Sequence, residues 1–292
     1  MWGKIGVGVL GSMPSLKKDN AVRVAYLGPR GTFSEQAARR FFADVNADYM
    51  WLPSIEDVFR AVDHGEADCG IVPVENSIEG SVNLTLDLLY ETDLRICGEI
   101  KERVIHNLIV SRGVRRADVR TVLSHQQALA QCRNYLKRKF PQAKTRDVTS
   151  KAAAVKAVRR LKRAAAIGTE LAANVGGMRI LARDIADNPN NFTRFLVLSR
   201  TGVGPTGNDK TFLIFSTKDR PGALYEALKV FAIRGLNLCK IESRPARERP
   251  WEYNFYTAAV GHIAEVKCRA AVRSLEAICR FVKVLGSYPI AK

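Results

Sequence analysis

The sequence predicts a two-lobed α/β domain followed by a smaller α+β domain. Short apolar blocks alternate with amphipathic helical blocks over the first 200 residues, which is the pattern of an α/β fold. A stretch with three glycines and a proline, Thr201–Asp209, then interrupts this pattern as a linker would. Beyond it, the order strand, helix, strand, strand, helix, strand predicts a ferredoxin-like βαββαβ domain.

We place the domain boundaries where the pattern changes. The predicted divisions are an N-terminal extension over 1–21, a larger domain over 22–200, a linker over 201–209 and a smaller domain over 210–289. Within the larger domain, the first lobe covers about residues 22–105 and 194–200, and the second lobe about 106–193. Because the chain crosses twice between the lobes, a cleft should form between them, where ligands bind in such sheets.

The first lobe begins with a strand and a well-marked helix. Val22–Leu27 is a short apolar run, and a glycine turn separates it from a helix predicted over Thr32–Phe42. Thr32 and Glu35 have the spacing of a capping box, whose side chains accept hydrogen bonds from free backbone N–H groups. The same reasoning predicts a helix from Ser54 through Val62, a strand Cys69–Val72, a helix Leu84–Tyr90 and a strand Arg95–Val104.

The second lobe and the smaller domain repeat this alternation. In the second lobe the predicted strands are Leu108–Val110, Val119–Leu123 and Ala165–Ile167, and the helices are Gln127–Arg138, Ala152–Arg163 and Thr169–Asn174. The strand Phe195–Leu198 then returns the chain to the first lobe. In the smaller domain the predicted strands are Lys210–Thr217, Leu236–Ser243, Tyr253–Val260 and Phe281–Leu285, with helices Ala223–Ile233 and Ala264–Cys279.

The chain carries a formal net charge of +17, and one segment supplies most of it. Arg112–Arg163 holds sixteen basic residues against Asp118 and Asp147, and we expect this charge on the solvated faces of the second-lobe helices. The segment has two aromatic residues, Tyr135 and Phe140, and no zinc-finger or RRM signature. We therefore expect no nucleic-acid partner, while a basic patch leaves a nucleic-acid-binding sensor open as an alternative.

Metal, cofactor and membrane classes find no support in the sequence. The six cysteines are scattered without a C-x-x-C motif or clustered histidines, so no metal site is predicted. Dinucleotide and phosphate-loop motifs are missing too, and we expect no cofactor. No apolar stretch approaches the roughly 20 residues that span a bilayer. Scattered thiols and a glycine-broken N-terminal run without a cleavage pattern predict a cytoplasmic protein.

Polar runs at the ends of predicted strands mark a candidate site. They are Glu75–Ser77, Ser124–Gln127 and Asn190–Phe195. Strand ends from both lobes point into one cleft, and an arginine beside hydroxyl and amide groups suits a small anionic ligand. The turn Gly28–Ser34 precedes a capped helix, so its backbone N–H groups could hold a carboxylate. Each run also has a structural explanation as a turn or cap, and that alternative stays open.

Several motifs in a fixed order resemble one known family. They are Gly28-Pro29-x-Gly31-Thr32-Phe33-Ser34-Glu35, Pro73-Val74-Glu75-Asn76-Ser77-x-x-Gly80-x-Val82, Ser124-His125, Asn191-x-Thr193-Arg194-Phe195, Arg220-Pro221-Gly222-Ala223-Leu224 and Ile241-Glu242-Ser243-Arg244-Pro245. Spread over about residues 22–289, they resemble prephenate dehydratase of the monofunctional type with a C-terminal ACT regulatory domain. The resemblance implies a two-lobed, periplasmic-binding-protein-like catalytic domain and a ferredoxin-like ACT domain.

The resemblance also implies a reaction and residues for it. Prephenate loses its ring carboxylate as carbon dioxide and its 4-hydroxyl as water, which gives phenylpyruvate on the route to phenylalanine. Thr193 is implied to protonate or polarise the departing hydroxyl, and Arg194 to bind a substrate carboxylate or support the loop. The other implied catalytic residues, which would donate hydrogen bonds, are Asn76, Ser77, Ser124 and Gln131. The implied substrate-binding residues are Thr32, Phe33 and Phe195.

For the ACT domain, the resemblance implies a phenylalanine site between subunits, and hence a homodimer or homotetramer. The implied residues are Gly222, Ala223, Leu224, Asn237, Glu242, Ser243, Arg244 and Pro245. Gly222 lets a backbone approach a ligand closely and opens a helix whose N-terminus suits a carboxylate. Glu242 could bind the ammonium group of the amino acid.

The chain departs from the family pattern at a few positions, and two alternative functions stay open. Gln126 stands where proline is common, Gly176-Gly177-Met178 replaces Tyr-Gly-Leu, and Ala258 and Val260 replace acidic residues. We expect catalysis to be retained. Arogenate dehydratase, with an aminated carbon in place of the pyruvyl keto group of the substrate, is the nearest alternative. The more distant one is a non-catalytic amino-acid sensor that binds nucleic acid.

Overall fold

The computed structural model describes residues 21–246 and 251–291. All but the last residue of the predicted N-terminal extension lies outside this part of the chain. Over the described residues, no helix is both long and apolar enough to cross a membrane.

The first lobe contains five strands and three helices before the chain leaves it. The strands are β1 (Val22–Leu27), β2 (Ala47–Leu52), β3 (Cys69–Asn76), β4 (Gly80–Ser81) and β5 (Arg95–Arg103). The helices are α1 (Phe33–Phe41), α2 (Ile55–Asp63) and α3 (Asn83–Glu91). Helix α1 starts as predicted, because the Thr32 hydroxyl accepts a hydrogen bond from Glu35 N–H at 3.3 Å. The Glu35 carboxylate accepts one from Gly31 N–H at 2.7 Å.

The second lobe follows as a separate sheet flanked by helices. Its elements in chain order are β6 (Asn107–Val110), β7 (Thr121–Ser124), α4 (Gln126–Gln131), α5 (Arg133–Lys139), β8 (Lys144–Asp147), α6 (Lys151–Val158), β9 (Ala164–Gly168), α7 (Glu170–Gly176) and β10 (Arg179–Ala182). The sheet order is β10-β6-β9-β7-β8. Separate clusters of buried apolar residues pack on its two faces.

Strand β11 (Phe192–Ser199) brings the chain back to the first lobe. It lies antiparallel between β3 and β5, so the first-lobe sheet has the order β2-β1-β3-β11-β5, with β4 paired to β3. Thr193 already pairs with Asn76 and Glu102 in this sheet. The predicted lobe boundary after residue 193 is therefore corrected to a position before Phe192.

Two helices predicted in the second lobe differ in length from the observed ones. The helix expected over Gln127–Arg138 is divided at Cys132 into α4 and α5, and the one expected over Ala152–Arg163 ends at Val158. As a result, only six of the sixteen basic residues of Arg112–Arg163 lie on α5 and α6, and most of the others lie in connecting turns. The expectation that the excess charge sits on helices is corrected accordingly.

The smaller domain is a four-stranded antiparallel sheet with two helices on one face. Its elements are β12 (Asp209–Ser216), α8 (Ala223–Ala232), β13 (Leu238–Pro245), β14 (Tyr253–Val260), α9 (Val266–Ile278) and β15 (Phe281–Pro289). The sheet order β13-β14-β12-β15 is that of the predicted βαββαβ domain. Apolar residues of both helices pack on one face of this sheet.

The other face of this sheet packs directly on the first lobe. Phe212, Ile214, Tyr256, Leu285 and Tyr288 belong to the same buried apolar cluster as the first-lobe core. Glycine is required at position 286, where any Cβ atom would collide with the backbone of Ile96 in β5. The two domains therefore share one continuous core.

The predicted linker is an ordered connection in this structure. The Asp209 carboxylate accepts hydrogen bonds from Thr206 N–H at 2.7 Å, from the Thr206 hydroxyl at 2.6 Å and from Gly207 N–H at 3.0 Å. Val203 is buried, and its carbonyl oxygen lies 3.0 Å from Nε2 of His262. Glycine and proline content predicted a linker here, and side-chain hydrogen bonds and burial fix its conformation.

Candidate active site

A cavity of about 220 Å³ lies where the two lobes meet. The first lobe contributes Phe33, Asn76, Glu79, Gly80, Ser81, Val82 and Val104 to its wall. The second lobe contributes Gln127, Gln131 and Lys151, and the returning segment contributes Asn191 and Thr193. The cleft predicted between the lobes thus holds four of the predicted site residues, namely Phe33, Asn76, Gln131 and Thr193.

Asn76, at the end of β3, holds the hydroxyl of Thr193. Its side-chain Nδ2 donates to Thr193 Oγ1 at 2.9 Å and to Asn191 Oδ1 at 2.8 Å. Its Oδ1 accepts from the N–H groups of Ile78 and Glu79 at 3.0 and 3.1 Å, which fixes the orientation of the amide. Because the Thr193 oxygen accepts a hydrogen bond here, its own proton remains free to be donated into the cavity.

Gln131 connects the two lobes beside this pair. Its Oε1 accepts from Asn191 Nδ2 at 3.1 Å and lies 2.7 Å from Nε2 of His106. Its Nε2 donates to Glu79 Oε1 at 3.1 Å. The resemblance implied Gln131 as a site residue but gave no reason to expect His106 or Glu79 beside it.

His106 lies at the crossing between the lobes and is fully buried. Burial lowers the pKa of its imidazole to about 4, since the charged ring would be removed from water. The neutral ring therefore carries its proton on Nε2 and donates it to Gln131 Oε1. Nδ1 is a buried acceptor without a hydrogen-bond partner among the residues that the structure describes.

Ser77 holds the loop that carries Asn191 rather than lining the cavity. Its hydroxyl donates to the Asn190 carbonyl at 3.0 Å and accepts from Phe192 N–H at 2.9 Å. Its own N–H donates to the Phe192 carbonyl at 2.8 Å. Three hydrogen bonds thus fix the start of β11 against the end of β3, and with it the position of Thr193.

Besides Ser77, four further residues expected in the site do not reach the cavity wall. Thr32 caps α1, and its hydroxyl also donates to the Leu27 carbonyl at 3.1 Å. Ser124 is fully buried in the second lobe and donates to the Ile167 carbonyl at 2.9 Å. Phe195 is 2% exposed and packs in the first-lobe core. Membership in a motif therefore does not fix where a side chain points.

Arg194 is the fourth, and the geometry of the strand explains its position. Successive side chains of a strand point to opposite faces, so Arg194 faces away from the side of β11 that carries Thr193. Its guanidinium lies 3.7 Å from Glu75 and 3.5 Å from Glu99. Glu99 also pairs with Lys210 of β12 at 2.5 Å, and Glu75 with Lys240 of β13 at 3.4 Å. Arg194 therefore belongs to a charged network at the interface between the domains.

The residues implied for effector binding form two separate groups in this chain. Gly222, with φ of +83°, lines a pocket of about 360 Å³ together with Ala223, Leu224 and aromatic side chains that include Tyr225 and Trp251. Strand β13 contributes no residue to the wall of this pocket.

The second group consists of residues of β13 and of Asn237 just before it, and two of its members contact the first lobe. Glu242 accepts a hydrogen bond from the Ser81 hydroxyl, and Arg244 pairs with Asp87 of α3 at 2.8 Å. Ser243, Pro245 and Asn237 are exposed. Because Ser81 also lines the cavity, one hydrogen bond separates Glu242 from the candidate active site.

These features define a class of protein: a two-lobed α/β enzyme with its site at the lobe junction and an ACT-type domain packed on one lobe. A family model described as prephenate dehydratase matches residues 24–203, and one described as the ACT domain matches residues 211–277. The chain therefore belongs to the prephenate dehydratase family of hydro-lyases.

Individual relatives agree with this assignment. A bifunctional chorismate mutase/prephenate dehydratase from Aquifex aeolicus is 45% identical and covers 94% of this chain and 76% of that protein. An arogenate dehydratase/prephenate dehydratase from Arabidopsis thaliana is 40% identical and covers 94% of this chain and 75% of its own. The crystal structure of prephenate dehydratase from Arthrobacter aurescens, in complex with L-Phe, has a TM-score of 0.85 at 36% identity, with 92% of this chain and 90% of that chain covered.

Proposed function

We propose that this chain converts prephenate to phenylpyruvate, carbon dioxide and water in the cavity between its lobes. The observation that supports this most directly is the Thr193 hydroxyl, which the Asn76 amide holds at the cavity wall with its proton free. Formation of the aromatic ring drives the reaction. The protein then has to orient the substrate and deliver a proton as the 4-hydroxyl leaves.

The proposed step breaks two bonds of the substrate ring. The electrons of the bond to the ring carboxylate become part of the aromatic ring, and the carboxylate leaves as carbon dioxide. The carbon–oxygen bond at C4 breaks, and the oxygen leaves as water once it has received a proton. Thr193 gives its proton to this oxygen as the bond breaks and takes one up again from solvent afterwards, and the Asn76 amide stabilises the negative charge that develops on the threonine oxygen. A free threonine hydroxyl is too weak an acid to act without this support.

The surrounding residues are proposed to hold this pair in place. Gln131 and Asn191 fix Asn76 from the second lobe and the returning segment, and Ser77 fixes the start of β11. Phe33 provides an apolar wall against the substrate ring. Thr32, Ser124, Arg194 and Phe195 act through the structure around the site, and Arg194 has the loop-supporting role.

Arogenate dehydration is a second candidate because the cavity wall contains a carboxylate. Glu79 could pair with the ammonium group that arogenate carries where prephenate has a keto group. Prephenate has an uncharged keto group at this position, with which the Glu79 carboxylate cannot form an ion pair. A comparison of kcat/KM for the two substrates decides between them.

Regulation by phenylalanine is proposed for the ACT domain. The pocket lined by Gly222, Ala223 and Leu224 has backbone N–H groups at the start of α8 that suit the carboxylate of an amino acid. Asn237, Glu242, Ser243, Arg244 and Pro245 would complete the site across a homodimer or homotetramer. Phenylalanine bound there is proposed to inhibit, and the protein is proposed to act in the cytoplasm.

Phenylpyruvate absorbance after prephenate is mixed with the purified chain tests the proposed function. We expect turnover by the wild-type chain and a loss of turnover in Thr193→Val, which keeps the shape of the side chain and removes the hydroxyl. A wild-type chain that converts neither prephenate nor arogenate contradicts the proposal. If it instead binds DNA or RNA tightly at physiological ionic strength, the sensor function takes its place.

A further inference from the structure

We propose that Lys151 is the cation that binds the side-chain carboxylate of the substrate, the one that the product keeps. This inference rests on the proposed function and adds a residue that sets substrate affinity. Lys151 belongs to none of the sequence motifs, and the resemblance implied Arg194 rather than Lys151 for binding a substrate carboxylate.

Lys151 reaches the cavity from the second lobe. It is the first residue of α6, directly after the N-cap Ser150, whose hydroxyl accepts from Ala153 N–H at 3.0 Å. Its Nζ lies 4.8 Å from the ring centroid of Phe33, on the first lobe. This cation–π contact holds the side chain across the cavity and leaves ammonium protons for a ligand.

Lys151 differs in charge from the other described residues that form the cavity wall. Prephenate carries two carboxylates, and binding them away from water needs a compensating cation. Of the described residues that form the wall, Lys151 is the one with a positive charge and Glu79 the one with a negative charge. Arg194 lies on the opposite face of β11, paired with Glu75 and Glu99.

The chemistry of the reaction decides which carboxylate Lys151 binds. The ring carboxylate has to lose its charge as it becomes carbon dioxide, so a cation paired with it would stabilise the substrate more than the transition state. The side-chain carboxylate keeps its charge throughout. A cation paired with that group binds substrate, transition state and product alike, and therefore acts on KM rather than on kcat.

The protonation state of Lys151 agrees with this role near neutral pH. Burial lowers the pKa of the ammonium to about 8, while Cys132 and the Glu79 carboxylate act in the opposite direction. His106 interacts electrostatically with Lys151 and is neutral, because its own pKa is lowered to about 4 by burial and by this lysine. Lys151 is charged below its pKa, so kcat/KM should fall as the pH rises through about 8.

Steady-state kinetics of Lys151→Met and of the matched control Lys156→Met test the proposal. Lys156 lies about one and a half turns further along α6 and is exposed. For Lys151→Met we expect KM for prephenate and the inhibition constant of phenylpyruvate both to rise by about 10- to 100-fold, with kcat nearly unchanged. Lys151→Arg should recover much of the affinity, and Lys156→Met should match the wild type.

Three results would overturn the proposal. They are an unchanged KM in Lys151→Met, a rise in KM without a matching rise in the phenylpyruvate inhibition constant, or a fall of kcat/KM near pH 8 that persists in this variant. The second result would assign Lys151 to the ring carboxylate. A wild-type chain without turnover is a different outcome, since it removes the proposed function itself.

Discussion

Strands β3 and β11 contribute residues to both the cavity and the domain interface, yet the polar groups of the two regions are of different kinds. At the end of β3 and the start of β11, Asn76 and Thr193 face the cavity, where amide and hydroxyl groups hold one another. Their sequence neighbours Glu75 and Arg194 form ion pairs on the interface side. The alternation of side chains along a strand lets one motif serve both regions.

The two regions also differ in what their polar groups contribute. At the interface Glu99 is fully buried and Lys210 is 3% exposed, so their ion pair is protected from water and salt. The buried charges stabilise the docking of the ACT domain on the first lobe only while they stay paired. In the cavity, neutral amides fix the position of a single hydroxyl. Damage to the interface should therefore appear as lost stability, and damage to the cavity as lost turnover.

The largest expected effect is on stability, from breaking the interface pair. Lys210→Met leaves the Glu99 carboxylate buried without its nearest cation, and we expect the free energy of unfolding to fall by about 3–5 kcal/mol. Urea unfolding measures this change. The exposed pair Arg23–Asp68 provides the control, since Arg23→Gln should change stability by about 0–1 kcal/mol. Equal losses of stability in the two variants would show that burial does not make the Lys210–Glu99 pair more important than the exposed pair.

The next effect is on turnover, from the cavity. Asn76→Ala removes the donor to Thr193, and we expect kcat to fall by about 10²–10³-fold because the developing charge loses its stabilising hydrogen bond. Circular dichroism should show a folded chain. Asn174→Ala, at an exposed position on α7, is the control with wild-type kcat. A loss in Asn76→Ala that lies wholly in KM would assign Asn76 to binding alone.

The smallest effect concerns communication between the two regions. Asp87→Ala removes the partner of Arg244 across the interface, and we expect phenylalanine inhibition to weaken by about 2- to 30-fold. Linkage requires that prephenate then affect phenylalanine binding less by the same factor. Inhibition curves measure this, with Arg183→Gln, from the exposed pair with Glu170, as the control. Unchanged inhibition in Asp87→Ala would show that this contact carries no coupling.

The sequence predicted the strands whose apolar residues are buried in the structure. The predicted bounds of β1 and β14 coincide with the observed Val22–Leu27 and Tyr253–Val260. Among the strands that were missed, β2, β8 and β10 lie at sheet edges and contain no buried residue. Lys144–Asp147, for example, is exposed at every position and is a strand through pairing with β7 rather than through its own apolar content.

The candidate site was predictable to the extent that motifs mark it. Asn76 and Thr193 belong to the motifs, Gln131 was implied by the resemblance, and all three meet in the cavity. Lys151, Glu79 and His106 are brought to the same place by tertiary structure. Motifs do not give side-chain direction, so Ser124 and Phe195 were expected in a site from which burial separates them. The one signal in the sequence that could have indicated His106 was its position at the predicted boundary between the lobes.

The central claim is that the cavity controls turnover and the domain interface controls stability. Its most direct test compares variants of two adjacent residues, with kcat and melting temperature measured for each. For Thr193→Val we expect kcat to fall by about 10²–10⁴-fold at a nearly unchanged melting temperature, because the hydroxyl acts on the leaving group. For Arg194→Gln we expect a lower melting temperature and a kcat within about threefold of wild type, because the guanidinium acts at the interface. An Arg194→Gln chain that keeps its melting temperature and loses as much kcat as Thr193→Val would contradict the account.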